Sequence, residues 1–340
     1  MKPETRDLLT RIGSFALAGG LLYLALRGVD FSRVGRDLKT ANYWWMIPIV
    51  VVTLSSHWLR AWRWTFLLDE LPASDRSRRA STTGAFAAIM IGYLANYVAP
   101  RVGEVVRTAN VSRRYHQPFA SVLGTVITER ILDVITMALA FLTLPLVFAG
   151  RIGEIIDLLS APLQGRLPGL SPLVIVLTAG GLLLLGWGLW RWLRSGHWAR
   201  LRGLLVSLGA GLATVWRTPR KVELVLSTVA MWFAYGLMAY LPFVMFGFHE
   251  TFGLGPVDAW GIMLLGAIGV VIPSPGGIGS YHYITIQSLV LLFAFSTDAA
   301  ASYAILTHTG QLLIYVVTGA VFILGLGFRF HAPRPEEPSA

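Results

Sequence analysis

The chain has 340 residues, of which 55% are hydrophobic and 14% are charged, and its mean hydropathy is +0.62. Soluble domains carry about 25% charged residues, so these values exclude a soluble globule and predict one polytopic membrane domain over residues 1–340. The absence of cysteine excludes disulfides, iron–sulfur clusters, zinc–thiolate sites and cysteine nucleophiles.

Six apolar stretches predict six membrane spans, because a crossing helix needs roughly 20 mostly apolar residues. The fourth stretch carries no charge, and Ser296-Thr297-Asp298 provides a helix N-cap signal before the last one. The predicted spans are 8–26, 44–68, 119–148, 173–192, 222–246 and 299–328. The fold class is therefore an all-α integral membrane protein.

Two further apolar segments are broken by proline and glycine, and we interpret them as re-entrant helical hairpins at 80–116 and 257–295. The first break follows the run 80–99, and the second lies at 273–279. Such residues end helices, and backbone freed at membrane depth must be buried in protein or line a wet cavity. Hairpins that enter from opposite faces and meet near the midplane are typical of transporters.

The basic residues, which give a net charge of +10, fit this topology. With a cytoplasmic N-terminus and C-terminus, nineteen of the 28 Lys and Arg residues lie on the cytoplasmic side and six outside. The segment 194–221 alternates basic residues with Leu and Val, which predicts a cytoplasmic amphipathic helix on an anionic lipid surface. Four basic residues between the first two spans lie on the exterior, where we expect a short surface helix.

The first break carries a polar cluster. Pro100 can start a helix on which Arg101, Glu104 and Arg107 share a face, and Gly103 lies within its first turn. Free backbone N–H groups at a helix start, flanked by arginines, suit a phosphate or another anion. The alternative is an interfacial helix with i,i+3 ion pairs.

The third span carries Glu129, Arg130 and Asp133. A charge at the bilayer centre costs about 2.5–3.5 kcal/mol on insertion scales. Glu129 and Asp133 are one turn apart, and Arg130 can reach Asp133. The cluster indicates a substrate or proton pathway, and the alternative is a self-neutralising structural cluster.

The second span carries His57, Arg60 and Arg63 toward its cytoplasmic end. Long arginine side chains there can extend to the lipid headgroups, which is the interpretation for Arg63. For Arg60 the sequence allows two interpretations, contact with the lipid headgroups or binding of the substrate.

The second break combines a glycine-rich turn with a histidine. Glycines let backbone amides approach a ligand closely, whereas the alternative is a tight turn needed only for packing. His282 follows the turn, and for His308 and Gln311 in the last span we expect packing or a hydrogen bond between helices. The turn contains Pro273, Pro275, Gly276, Gly277 and Gly279.

Three motifs occur in order along the chain: Asn96…Pro100-Arg101-Val102-Gly103-Glu104…Arg107, Thr128-Glu129-Arg130…Asp133, and Pro273…Pro275-Gly276-Gly277-Ile278-Gly279. Together they resemble the flippase-like membrane family that includes the transmembrane region of lysylphosphatidylglycerol synthase. The resemblance implies a bacterial inner-membrane fold with re-entrant helices that moves a lipid between leaflets. It also implies that the motif residues form the site, and we expect the soluble aminoacyl-transferase domain of the full synthase to be absent.

We therefore predict a flippase for a lipid with a phosphate-bearing or charged headgroup, rather than an enzyme. The alternative is a membrane enzyme with Glu129 or His282 as acid or base, or an accessory subunit, in phospholipid, polyprenyl or hopanoid metabolism. There is no Walker loop, nucleophile elbow or metal-binding histidine pair, so no cofactor or metal is expected.

The expected partners are a membrane lipid substrate and an anionic lipid surface, and no nucleic acid, because no basic stretch is interleaved with aromatic residues. A homo-oligomer or a lipid-biosynthesis partner stays open. The predicted substrate-binding residues are Arg60, Arg101, Glu104, Arg107, Glu129, Arg130, Asp133, Gly276, Gly277, Gly279 and His282, and the predicted structural turns use Pro100, Gly103, Pro273 and Pro275.

Overall fold

The computed structural model describes residues 3–71, 80–98, 102–148, 218–272 and 274–325, and over these residues it contains helices and no strands. The predicted fourth span, most of the segment 194–221, and Pro100, Arg101 and Pro273 lie outside them. The described helices are α1 Pro3–Leu26, α2 Phe31–Thr40, α3 Met46–Asp69, α4 Thr82–Val98, α5 Val102–Arg114, α6 Phe119–Phe141, α7 Leu144–Val147, α8 Lys221–Met245, α9 Phe248–Thr251, α10 Pro256–Val271, α11 Ser280–Phe293 and α12 Thr297–Gly325.

Three described segments are long and apolar enough to cross a membrane: α6 with α7, α8 and α12. The α1–α2 pair meets the same criteria as one unit, although it bends by 82°. α3 has 24 residues and is thus about 36 Å long, but polar side chains interrupt its middle turns. The prediction of an all-α membrane protein is confirmed.

The segment 80–116 forms an antiparallel hairpin of α4 and α5. The backbones of Gly92 and Gly103 touch near its tip, and Gly84 lies against the side chain of Tyr115 at its base. The Gly103 N–H donates to Asn96 Oδ1 at 2.7 Å across the break. This close approach of two helices leaves no room for a side chain at Gly103.

We expect Gly103→Ala to lower the stability of the protein by about 1–3 kcal/mol, because the added Cβ would overlap the Gly92 carbonyl and the Asn96 side chain. The matched control is Gly124→Ala in α6, where a Cβ meets nothing within 4 Å and alanine favours the helix. Thermal unfolding in detergent measures both variants. Equal stability of the two would contradict the packing of this hairpin.

The segment 257–295 forms a second antiparallel hairpin of α10 and α11. Gly269 lies against the backbone of Tyr281, and Ser274 Oγ is 2.7 Å from Ser280 Oγ across the turn. Both segments are therefore helical in the structure, while their entry into a membrane stays a prediction.

The two hairpins point toward each other from opposite ends of α12. The second packs on the first half of α12, where Tyr281 Oη is 3.0 Å from Thr307 Oγ1. The first packs on the other half, where Gly319 lies against Met90 and Leu94. The tips meet where Gly276 lies against the ring of Tyr97. The C-terminal end of α4 and the turn before α11 thus come together near the middle of the longest helix described.

The region between α1 and α3 contains the expected short surface helix, α2. The Asp30 N–H donates to Asp298 Oδ1 at 2.8 Å, and Arg33 Nη1 lies 3.4 Å from Asp298 Oδ2. The predicted N-cap of α12 is also present, since Ser296 Oγ accepts from the Ala299 N–H at 3.2 Å. These contacts fix α2 against the start of α12.

The buried apolar side chains form clusters at the two ends of the bundle. The one at the base of the first hairpin includes Trp64, Leu67, Ile89 and Val126. The one at the base of the second includes Phe243, Ile286, Phe295 and Tyr303. Polar side chains lie between them, in the middle turns of the long helices.

Candidate functional site

Two arginines of α3 point into the protein rather than toward its end. Arg60 and Arg63 are three residues apart, so they share a face, and their side chains are 7% and 0% exposed. The interpretation of Arg63 as a side chain that extends to the headgroups is wrong. Its guanidinium group is buried and binds one of two carboxylates of α6 instead of lipid headgroups at the end of α3.

Those carboxylates lie one turn apart on α6. Arg60 Nη1 is 2.5 Å from Glu129 Oε1 and 2.7 Å from Asp133 Oδ2. Arg63 Nη2 is 2.5 Å from Asp133 Oδ1. Arg60 thus bridges both carboxylates. The structure therefore brings together three of the predicted site residues: Arg60, Glu129 and Asp133.

The first hairpin supplies a third arginine to this group. Arg107 Nη1 on α5 is 2.9 Å from Glu129 Oε2, and its guanidinium lies 5.0 Å from the centre of the Trp64 ring. Both oxygens of the fully buried Glu129 are therefore held by arginines from different helices. This ties the first hairpin to α3 and α6.

A looser pair completes the cluster at its edge. Arg130 Nη2 is 3.5 Å from Glu104 Oε1, and Arg130 Nη1 is 3.6 Å from Asp133 Oδ2, as the i,i+3 spacing predicted. The Arg130 and Glu104 side chains are 39% and 33% exposed. We call the seven side chains the ionic network: Arg60, Arg63, Glu104, Arg107, Glu129, Arg130 and Asp133.

Two residues of α8 that sequence reasoning missed also bind the network. Tyr235 Oη accepts from Arg60 Nη2 at 2.9 Å, and Thr228 Oγ1 accepts from Arg63 Nη1 at 3.2 Å. Their spacing of seven residues, which puts two polar groups on one face of an apolar helix, was the available signal.

The ionic network has four guanidinium groups and three carboxylates, so its formal charge is +1. Removing charges from water costs several kcal/mol per ion, and mutual attraction offsets this cost only when the pairs and hydrogen bonds are well made. An excess positive charge here favours an anion nearby.

A small cleft opens beside the network, between α4, α5 and α6. Its enclosed space is only about 10 Å³, enough for about one water molecule, and reaches about 180 Å³ when the open mouth is counted. Arg107 Nε and Nη2 are buried and have no hydrogen-bond partner among the described residues, and the same holds for Glu104 Oε2. Arg107, which lines the cleft, therefore keeps guanidinium N–H groups without a hydrogen-bond partner in the described ranges. The cleft is lined by Ile89, Gly92, Tyr93, Asn96, Gly103, Glu104, Arg107 and Arg130.

The predicted glycine-rich turn lies at the hairpin tips, apart from the ionic network. Gly276, Gly277 and Gly279 have φ angles of +60°, +77° and +83°, which glycine adopts without strain. Gly279 lies against the backbone of Ala18 in α1, and Pro275 is buried. These contacts serve packing, and ligand binding by the turn stays a prediction.

His282 lies beside His308 rather than beside the network. Their ring centroids are 4.8 Å apart, and the Tyr281 ring is stacked on His308 at 5.4 Å. The structure thus separates the predicted site residues into a charged group on α3, α5 and α6 and an uncharged group on the second hairpin.

The profile of the family described as "Lysylphosphatidylglycerol synthase TM region" matches residues 11–319. The chain belongs to this family. The match covers both hairpins and the whole ionic network, and the resemblance drawn from the three motifs is confirmed. The family indicates a multi-pass membrane protein of lipid metabolism or transport. No curated protein and no solved structure matches the chain.

Proposed function

We propose that the protein moves a lipid with an anionic, phosphate-bearing headgroup between the leaflets of the bacterial inner membrane. The observation that carries this proposal is the positive excess of the buried ionic network beside a cleft with unpaired N–H groups of Arg107. The family supports a lipid as the cargo, because its name refers to the membrane region of a lipid synthase.

The chemistry of the cleft suits a phosphate. Guanidinium groups present N–H donors in a planar fork that matches phosphate oxygens, and such charge-assisted hydrogen bonds are stronger than neutral ones. Arg107 and Arg130 line the same cleft and can bind one headgroup together. The acyl tails stay in the hydrocarbon, so only the headgroup needs a polar path.

The loose pair at the edge of the network suggests how a headgroup enters. Glu104 and Arg130 are the most exposed members, and their contact at 3.5 Å is longer than the contacts of Glu129 with Arg60 and Arg107, at 2.5 and 2.9 Å. A phosphate that displaces Glu104 from Arg130 replaces one anion with another. The short contact between Arg60 and Glu129 is unchanged by this exchange and keeps α3 and α6 in place.

The test is movement of lipids in proteoliposomes. We expect fluorescent phosphatidylglycerol to reach the opposite leaflet at least about tenfold faster than equally labelled phosphatidylcholine, whose headgroup has no net charge, and faster than in protein-free vesicles. Mass spectrometry of the recovered lipids should show them unaltered. Rates equal to protein-free vesicles would refute transport, and a chemically changed lipid would favour the enzyme alternative.

A further inference from the structure

The second hairpin brings together two histidines that the ionic network does not use. His282 of α11 and His308 of α12 lie edge to face, with ring centroids 4.8 Å apart and an angle of 61° between their planes. His282 Nδ1 and His308 Nε2 are buried and lack a hydrogen-bond partner in the described part of the chain. Each ring therefore keeps an unused nitrogen at the contact between the hairpin and the longest helix.

The surroundings of this histidine pair are polar but uncharged. Of the side chains that the structure describes, the titratable groups that we find near the pair are tyrosines: Tyr281 is stacked on His308, Tyr303 lies one turn before Thr307 on α12, and Tyr97 of α4 lies across the turn at Gly276. Among the described side chains, neither His282 nor His308 forms an ion pair with an Asp or Glu. Within the described residues, no Lys or Arg forms a ring contact or a hydrogen bond with His282 or His308.

We propose that the histidine pair binds the proton whose movement is coupled to lipid transport. The inference rests on the proposed function and adds the coupling ion to it. A single buried imidazole is costly to protonate without a partner, but a second imidazole can accept a hydrogen bond from the charged ring. Two adjacent rings with unused nitrogens provide this arrangement, and histidine is the side chain that changes charge most readily near neutral pH.

Binding of the proton requires the two rings to turn from their edge-to-face contact toward a shared N–H···N hydrogen bond. Because the rings belong to different helices, this change shifts α11 relative to α12. The contact between α11 and α12 thus has two packings, and proton occupancy selects between them.

Direct contacts connect this site to the cleft. A Cβ at Gly277 would lie 3.9 Å from His308 Cε1, and Gly276 next to it lies against Tyr97. Asn96, which precedes Tyr97, accepts the N–H of Gly103 in the cleft. A shift at the histidine pair therefore reaches the hairpin that carries Arg107 through packed neighbours.

The coupling is measured in proteoliposomes that contain labelled phosphatidylglycerol, with a pH gradient of one unit. With one proton moved per lipid, the gradient supports up to roughly a tenfold ratio of the lipid between leaflets. We expect the wild type to build an unequal distribution, and His282→Gln and His308→Gln to bring the lipid only to equal distribution. The control is His249→Gln, which replaces a histidine in α9 next to Glu250 and should leave the gradient response unchanged.

A second measurement is independent of transport. Nuclear magnetic resonance of ¹⁵N-labelled histidine in detergent should show the pair titrating in two steps separated by more than about one pH unit, and His308→Gln should shift the midpoint of His282. Lipid movement that ignores the gradient in the wild type, or independent titration of the two rings, overturns the inference. If the wild type moves no lipid, the proposed function fails, and coupled titration would still support a shared proton.

Discussion

Glu129→Gln should destabilise the protein by about 3–5 kcal/mol, the cost of removing one partner from a buried ion pair. Glu129 is fully buried, and its two oxygens bind Arg60 and Arg107 at 2.5 and 2.9 Å. The neutral amide leaves both guanidinium groups with less compensation in a site that already has a positive excess. Unfolding in detergent and the yield of inserted protein measure the effect.

The control for this prediction is Glu104→Gln, the same chemical change at the edge of the network. Glu104 is a third exposed and pairs only loosely with Arg130, at 3.5 Å, so its loss should cost less than about 1 kcal/mol. The double variant Glu129→Gln with Arg107→Gln should lose less stability than the sum of the two single changes, because the two residues are in contact. A similar, small loss for Glu129→Gln and Glu104→Gln would show that the network is solvated.

Arg107→Gln should reduce the movement of phosphatidylglycerol by roughly ten- to a hundredfold. A hydrogen bond to a charged group contributes about 1.5–3 kcal/mol, and the change removes the free guanidinium donors of the cleft together with its excess charge. Movement of the labelled phosphatidylcholine should change little, so the preference for an anionic headgroup should disappear. The two rates are measured on the same preparation of proteoliposomes.

Arg113→Gln is the matched control for Arg107→Gln, since it makes the same substitution on the same helix at an exposed position outside the cleft. Its rate should equal that of the wild type. An Arg107→Gln protein that is folded and still prefers phosphatidylglycerol would remove Arg107 from the site.

Local sequence patterns predicted the helices of this protein and the polar residues inside them. The cost of a charge at membrane depth was sufficient to select Glu129, Arg130 and Asp133. The partners could not be predicted in the same way, because Arg60 and Glu129 are 69 positions apart and their contact depends on how α3 packs against α6. The interpretation of Arg63 was wrong for the same reason. Its position near the end of α3 favoured contact with lipid headgroups, and nothing in the sequence indicated its partner on α6.

The hairpins show a similar division. Proline and glycine mark where each helix breaks, so the two turns were predictable from composition. The pairing of His282 with His308 was not, because each is a lone histidine in an apolar helix and only the packing of α11 on α12 joins them. Tyr235 is a comparable case in α8, as a tyrosine in an apolar span usually packs without binding an ion.

The most direct test of an anionic headgroup in the cleft is crosslinking with a phosphatidylglycerol that carries a photoreactive group on its headgroup. Mass spectrometry of the illuminated, membrane-embedded protein should locate crosslinks in the peptides that contain Glu104, Arg107 and Arg130, and excess unlabelled phosphatidylglycerol should suppress them. Crosslinks confined to exposed side chains such as Val229 and Phe233 on α8, from a protein that is still moving the lipid, would contradict the account.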